Sequence, residues 1–185
     1  MKVKDVEIKS ATPGEIPFIL TKDKKILDVT CGSRGIWFNK HHPNAIYCDR
    51  RKERHEVECG INFHSVRTCE IDPDVVTDFR DLPFDDNVFA LVVIDPPHLP
   101  ASRANDSWLA KEYGKLDEDW QSMLHDGFKE CMRVLKPDGV LIFKWSEISI
   151  PAENVWKAIG QKPLFGHHSG TKSNTYWGCF MKGVK

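Results

Sequence analysis

Short apolar runs recur along the chain, each closed by a polar or turn-forming residue. They occupy 25–30 (KILDVT), 45–49 (AIYCD), 74–77 (DVVT), 89–95 (FALVVID) and 139–145 (GVLIFKW). None alternates cleanly between apolar and polar positions, the pattern of strands covered on both faces. Between them the spacing turns helical. Trp120, Leu124, Phe128, Cys131 and Leu135 fall on one helical stripe, with Asp117 as N-cap and the KPDG segment, 136–139, as the stop. A second helix is predicted over 151–159, with Pro151 in its first turn and Gly160 past its end. The tail holds two more strand patterns, 163–168 (PLFGHH) and 174–182 (NTYWGCFMK), joined by a turn, SGTKS. Strands alternating with helices predict a three-layer α/β fold, one domain over 1–185, with a mostly parallel sheet and an antiparallel closing pair.

Ligands of such sheets bind beyond the carboxyl ends of the strands, so the residues there matter most. The first strand leaves through ILDVTCGSRG, with Asp28 late in the strand and Gly32 and Gly35 in the turn. Glycines let a ligand approach the backbone closely. Asp28 repels a pyrophosphate and attracts an ammonium group. Asp49 ends the second strand, 21 residues later, where an acid can accept from both ribose hydroxyls. Asp78 ends the third, where it can accept from an adenine amine while Phe79 covers the ring. Taken singly, Asp49 fits an exposed loop acid and Asp78 a simple turn. Leu82 and Phe84 are expected to fill the core below.

Length and charge narrow the picture. A chain of 185 residues with net charge -1 has room for a core and no global field toward nucleic acid or anionic membrane. No apolar run reaches membrane-spanning length, and MKVKDVEIKS lacks a signal-peptide core, so a cytoplasmic protein without membrane partners is expected. The six cysteines form no CxxC pair and read as free thiols. His55, Cys59, His64 and Cys69 match no standard zinc spacing and read as a polar segment with two half-buried thiols, with no metal expected.

Four segments, LDVTCGSRG, IYCD, TDFRDLPFDDNVFALVVIDPP and CMRVLKPDGVLIFK, together resemble class I S-adenosylmethionine-dependent methyltransferases, in the order of that family and over most of 25–145. The resemblance implies a Rossmann-like, seven-stranded sheet and a cofactor, S-adenosylmethionine. It places cofactor contacts at Asp28, Thr30, Cys31, Gly32, Gly35, Asp49, Asp78 and Phe79. Arg34 departs from the family, whose turn usually holds a small residue there. A cation beside a sulfonium is unfavourable unless it points outward or pairs with an acid.

The fourth strand ends in Asp95-Pro96-Pro97-His98. This resembles the Asp-Pro-Pro-aromatic motif of methyltransferases acting on planar amino groups of adenine, cytosine or glutamine. A conjugated amino nitrogen is a poor nucleophile, because its lone pair is delocalised. The Asp95 carboxylate and Pro96 carbonyl can accept its two hydrogens, and acceptors fixed in advance supply preorganised stabilisation. The prolines stiffen the turn and need no N–H partner. His98 stands where the family has a stacking aromatic; it can stack, accept or donate, and it titrates near neutrality.

Candidate acceptor-side residues follow. The long connection 98–117 carries Arg103, Trp108, Lys111 and Tyr113, suited to phosphate and base contacts or to a short helix packed on the sheet. Lys144 and Trp145 leave the fifth strand, and His167, His168 and Lys172 lie near the final turn. The run RRKERH reads as a solvated face. No separate target-recognition segment is evident. The expected acceptors are therefore single-stranded or unpaired nucleic acid, a small molecule, or a target presented by a partner subunit. Two rivals are a non-catalytic module of the same fold that binds S-adenosylmethionine or nucleic acid, and a nucleotide-binding oxidoreductase. Against the latter stand Asp28 and the lack of a GxGxxG turn.

Overall fold

The computed structural model describes residues 21–59, 65–100, 108–168 and 174–184. Seven strands form one sheet in the order β5-β2-β1-β6-β7-β9-β8. These are β1 (Ile26–Asp28), β2 (Ala45–Asp49), β5 (Val75–Val76), β6 (Phe89–Ile94), β7 (Leu135–Ser146), β8 (Phe165–His168) and β9 (Thr175–Met181). Strands β5, β2, β1, β6 and β7 run parallel, and β9 pairs antiparallel with both β7 and β8. The predicted strands all appear: β2 has the predicted bounds, β7 is longer, and β1, β5, β6, β8 and β9 are shorter. The expected SGTKS turn lies outside the described residues.

Two helices, α2 (Trp120–Val134) and α3 (Ala152–Ile159), follow the short helix α1 (Trp108–Tyr113). The α2 stripe Met123, Leu124, Phe128, Cys131 and Val134 is buried. It packs with α3 against Phe143, Trp145 and Phe180, each fully buried. Trp156 meets Phe143 and Phe180 edge-on at 5.4 and 5.7 Å. Leu82 and Phe84 are in this core, as expected. On the opposite face the loop after β1 covers the sheet, with Trp37 against Tyr47 at 5.0 Å. Among the described residues, then, α2 and α3 make one helical layer, and a loop stands where the three-layer reading placed helices.

Several local expectations change. The N-cap position of α2 is Asp119, without a side-chain cap bond, while Asp117 pairs with Arg50 and Arg80. Helix α2 stops at Val134, and the KPDG segment belongs to β7, where the register shifts against β6. The left-handed residue there is Asp138 (φ 62°), not the glycine. Pro151 is the N-cap of α3 rather than a first-turn residue, and Gly160 closes it with φ 76°. The charge run after Asp49 is solvated at Arg50, Lys52 and Arg54. It enters an antiparallel hairpin, β3 (Glu53–Cys59) with β4 (Ser65–Ile71), which sequence patterning missed. His55 faces Cys69 across this hairpin, Cys69 is buried, and His64 lies outside the described residues.

Candidate functional site

The chain runs outward from β1 to β2 and β5, then returns to the other side of β1 as β6 and β7. Such a reversal opens a crevice between the loops leaving the two inner strands. Here it holds a cavity of about 300 Å³, lined by Asp28 to Ser33 after β1, by Asp49 to Arg51 after β2, and by Asp95 and Pro97 after β6. Phe79, Glu112, Tyr113 and Lys144 close its sides. The structure therefore gathers Asp28, Thr30, Cys31, Gly32, Gly35, Asp49, Phe79, Asp95, Pro97, Tyr113 and Lys144 from the predicted set into one place.

Asp28 is fully buried under the cavity. Its carboxylate accepts from Trp37 Nε1 at 2.7 Å and from the Thr30 N–H at 3.1 Å. Burial pushes its carboxyl up to about 7, with Asp95 and Asp49 adding repulsion against the two bonds that lower it. Among the described residues no cation pairs with it. Asp49 is held differently: it accepts from the Gly32 N–H at 2.9 Å, from the Arg51 N–H at 2.9 Å and from Arg51 Nε at 3.3 Å. These bonds tie the glycine turn to the end of β2, and Gly32 takes φ 49° to present its N–H.

Asp95 is gripped from both sides. Its N–H donates to Thr30 Oγ1 at 2.7 Å, and Lys144 Nζ donates to its Oδ2 at 2.5 Å. Burial raises its carboxyl above the ordinary value, although Lys144 pulls the other way. Among the described residues Oδ1 carries no such partner. Burial lowers the His98 imidazole, opposed by Asp95 and reinforced by Lys144. Its ring lies 5.7 Å from Tyr113, outside the cavity lining, and Pro96 is buried and also outside the lining.

Four residues singled out in the sequence lie outside the cavity lining. Trp145 does not face the cavity: it is fully buried and donates to the Ile150 carbonyl. Trp108 lies outside the lining, stacked under Arg67 at 4.6 Å and bonded to Glu112. Asp78 is also outside, its two oxygens taken by Arg80 at 2.8 and 2.9 Å. Arg34, the awkward cation, turns away. It donates to the Lys40 and Asp72 carbonyls, pairs with Asp74 and lies over the Tyr47 ring at 3.9 Å. Arg103 and Lys172 fall outside the described residues, and His167 is exposed on β8.

Sequence reading missed Trp37 and Glu112. An indole nine residues after a buried acid is a signal in retrospect, since a buried Trp N–H needs an acceptor. Glu112 is recruited by Arg67 of the unforeseen hairpin, at 3.0 Å. No model of a known protein family matches the chain. No curated protein matches it.

Proposed function

We propose that the protein is an S-adenosylmethionine-dependent methyltransferase acting on an amino nitrogen of a nucleobase. The observation that carries this reading is Asp28. Of the three acids at the strand ends, Asp49 is paired with Arg51 and Asp95 with Lys144. Asp28 is buried at the floor of the crevice with no cation among the described residues, so it favours a ligand that brings positive charge. A phosphate-rich dinucleotide would meet three carboxylates instead. The sheet, with its antiparallel β9 beside β7, matches the architecture that the sequence resemblance implies.

In this reading Asp28 receives the ammonium of the cofactor's amino acid part. The turn from Thr30 to Gly35 lies along its chain, Asp49 receives the ribose hydroxyls, and Phe79 borders the base. Asp78, held by Arg80, is left out of the cofactor set. S-adenosylmethionine would supply a methyl group already activated as a sulfonium. Asp95 Oδ1 and the Pro96 carbonyl accept the hydrogens of the acceptor's amino group, which frees its lone pair, and the proton lost on methylation passes to Asp95 or water. Lys144 holds that carboxylate and Thr30 holds the Asp95 backbone N–H, which is where preorganisation resides.

The test is transfer of labelled methyl groups to nucleosides and single-stranded oligonucleotides. Asp95→Ala is expected to abolish transfer while cofactor affinity stays within about tenfold, or 1.4 kcal/mol. Loss of cofactor binding in that variant would overturn this division of roles.

A second reading, a small free acceptor rather than a polynucleotide, is favoured by one observation. Every described arginine is already ion-paired: Arg34, Arg50, Arg51, Arg54, Arg67, Arg80 and Arg133. Arginine contacts to a phosphodiester track would have to break these pairs.

A further inference from the structure

Beyond Asp95 the sheet carries a row of side chains that the cofactor reading does not use. Ile94 pairs with Phe143, so Lys144 is the neighbour of Asp95 on β7. Lys144 stands directly across from Trp177 on β9, and Trp177 directly across from His167 on β8. Directly opposed residues share a face of a sheet. This face is opposite the one on which Phe143, Trp145 and Phe180 meet α2 and α3.

Trp177 is half-buried, and Lys144 Nζ lies 5.9 Å from the centre of its ring. The neighbouring indoles have structural tasks. Trp145 and Trp156 are core, Trp37 holds Asp28, and Trp108 is stacked under Arg67. Trp177, outside the cavity lining, instead stands one strand from Lys144 of the ion pair at Asp95. His98, which occupies the motif's aromatic position, is turned to Tyr113.

We propose that Trp177 is the surface on which the ring of the methyl acceptor stacks, with Lys144 between it and Asp95, and that the acceptor is a planar amino-heteroaromatic. The inference rests on the methyltransferase reading and adds the acceptor's side of the site. Aromatic stacking tolerates any planar ring, so Trp177 sets the class of acceptor rather than its identity. Lys144, fixed by Asp95, keeps the ring in line with the carboxylate.

The test uses the full chain saturated with S-adenosylhomocysteine, titrated with adenosine, with cytidine and with cyclohexylamine as a non-aromatic amine. At least one nucleoside is expected to bind and the cyclohexylamine not to. Trp177→Leu is expected to weaken nucleoside binding roughly tenfold or more, and Trp177→Phe much less. Affinity for S-adenosylhomocysteine is expected to stay within about twofold in each variant, which also checks the fold; Trp177→Gln replaces the Leu variant if that one is unfolded. Equal nucleoside affinity in the Leu or Gln variant, or no nucleoside binding to the wild type, overturns the proposal. Failure of the wild type to bind S-adenosylhomocysteine brings down the methyltransferase reading itself, and this inference with it.

Discussion

At the scale of residues, the site is a problem of three carboxylates brought close together in one crevice. Two are answered by cations, Arg51 and Lys144, and Asp28 by an indole and a backbone N–H. That arrangement has a consequence for stability. Asp28 sits at about 7 in the folded protein against an ordinary 3.8, so the folded state binds its proton more tightly. Its contribution is therefore fully present below about pH 4 and is lost as pH rises through about 7. Thermal unfolding followed from pH 5 to pH 8 is expected to show the wild type losing more stability than Asp28→Ala over that range. Parallel curves would contradict the buried, unpaired state of Asp28. The acids were legible in the sequence because each ends an apolar run. Their partners were not: Arg80 captures Asp78 from two residues away, a contact that depends on rotamer rather than spacing. Trp145 illustrates a different limit. Successive strand residues point to opposite faces, so Lys144 and Trp145 could not both face the crevice.

At the scale of elements, the fit between α2 and the crevice wall rests on one glycine. A Cβ on Gly127 would lie 2.0 and 2.1 Å from Phe79 ring atoms. Helix propensity alone favours Gly127→Ala by about 1 kcal/mol. Overpacking a closed contact costs roughly 1–3 kcal/mol or more. The clash is with a ring that is itself buried, so the cost lies at the upper end, packing wins, and denaturant unfolding is expected to show a net loss of about 2 kcal/mol. A stabilised variant would mean that Phe79 has room to move. The strands and both long helices were legible as apolar runs and a helical stripe. The β3–β4 hairpin was not, because ERHEVEC and SVRTCEI carry little apolar alternation and pair through residues such as Arg54 with Glu70. The same hairpin supplies Arg67, which draws Trp108 and Glu112 together beside the crevice. An element unseen in the sequence thus displaced Trp108 from its expected role.

At the scale of the whole molecule, the order β5-β2-β1-β6-β7-β9-β8 places the switch point between β1 and β6, and Asp28 and Asp95 end those two strands. Fold class and the place of the crevice were legible because strand order and ligand position are linked by general rules of α/β topology. The pairing of Lys144 with Trp177 was less so, since it depends on how strands far apart in sequence align. Among the described residues no helix is long and apolar enough to cross a membrane. The net charge of -1 and the pairing of every described arginine bear on partners. On the small-acceptor reading, affinity for a single-stranded oligonucleotide changes by no more than about threefold between 50 and 200 mM salt, the behaviour of about one phosphate contact. A fall of a hundredfold or more would reveal a phosphate track and exclude the small-acceptor reading. The central claim, that Asp28 anchors a cationic cofactor, is tested most directly by calorimetric titration of S-adenosylmethionine at pH 8 into the wild type and Asp28→Ala. Micromolar-range binding by the wild type, lost in the variant and weakened roughly tenfold in the wild type at pH 6 as Asp28 takes up its proton, is the expected result. No binding by the wild type, or equal binding by both proteins, would contradict the account.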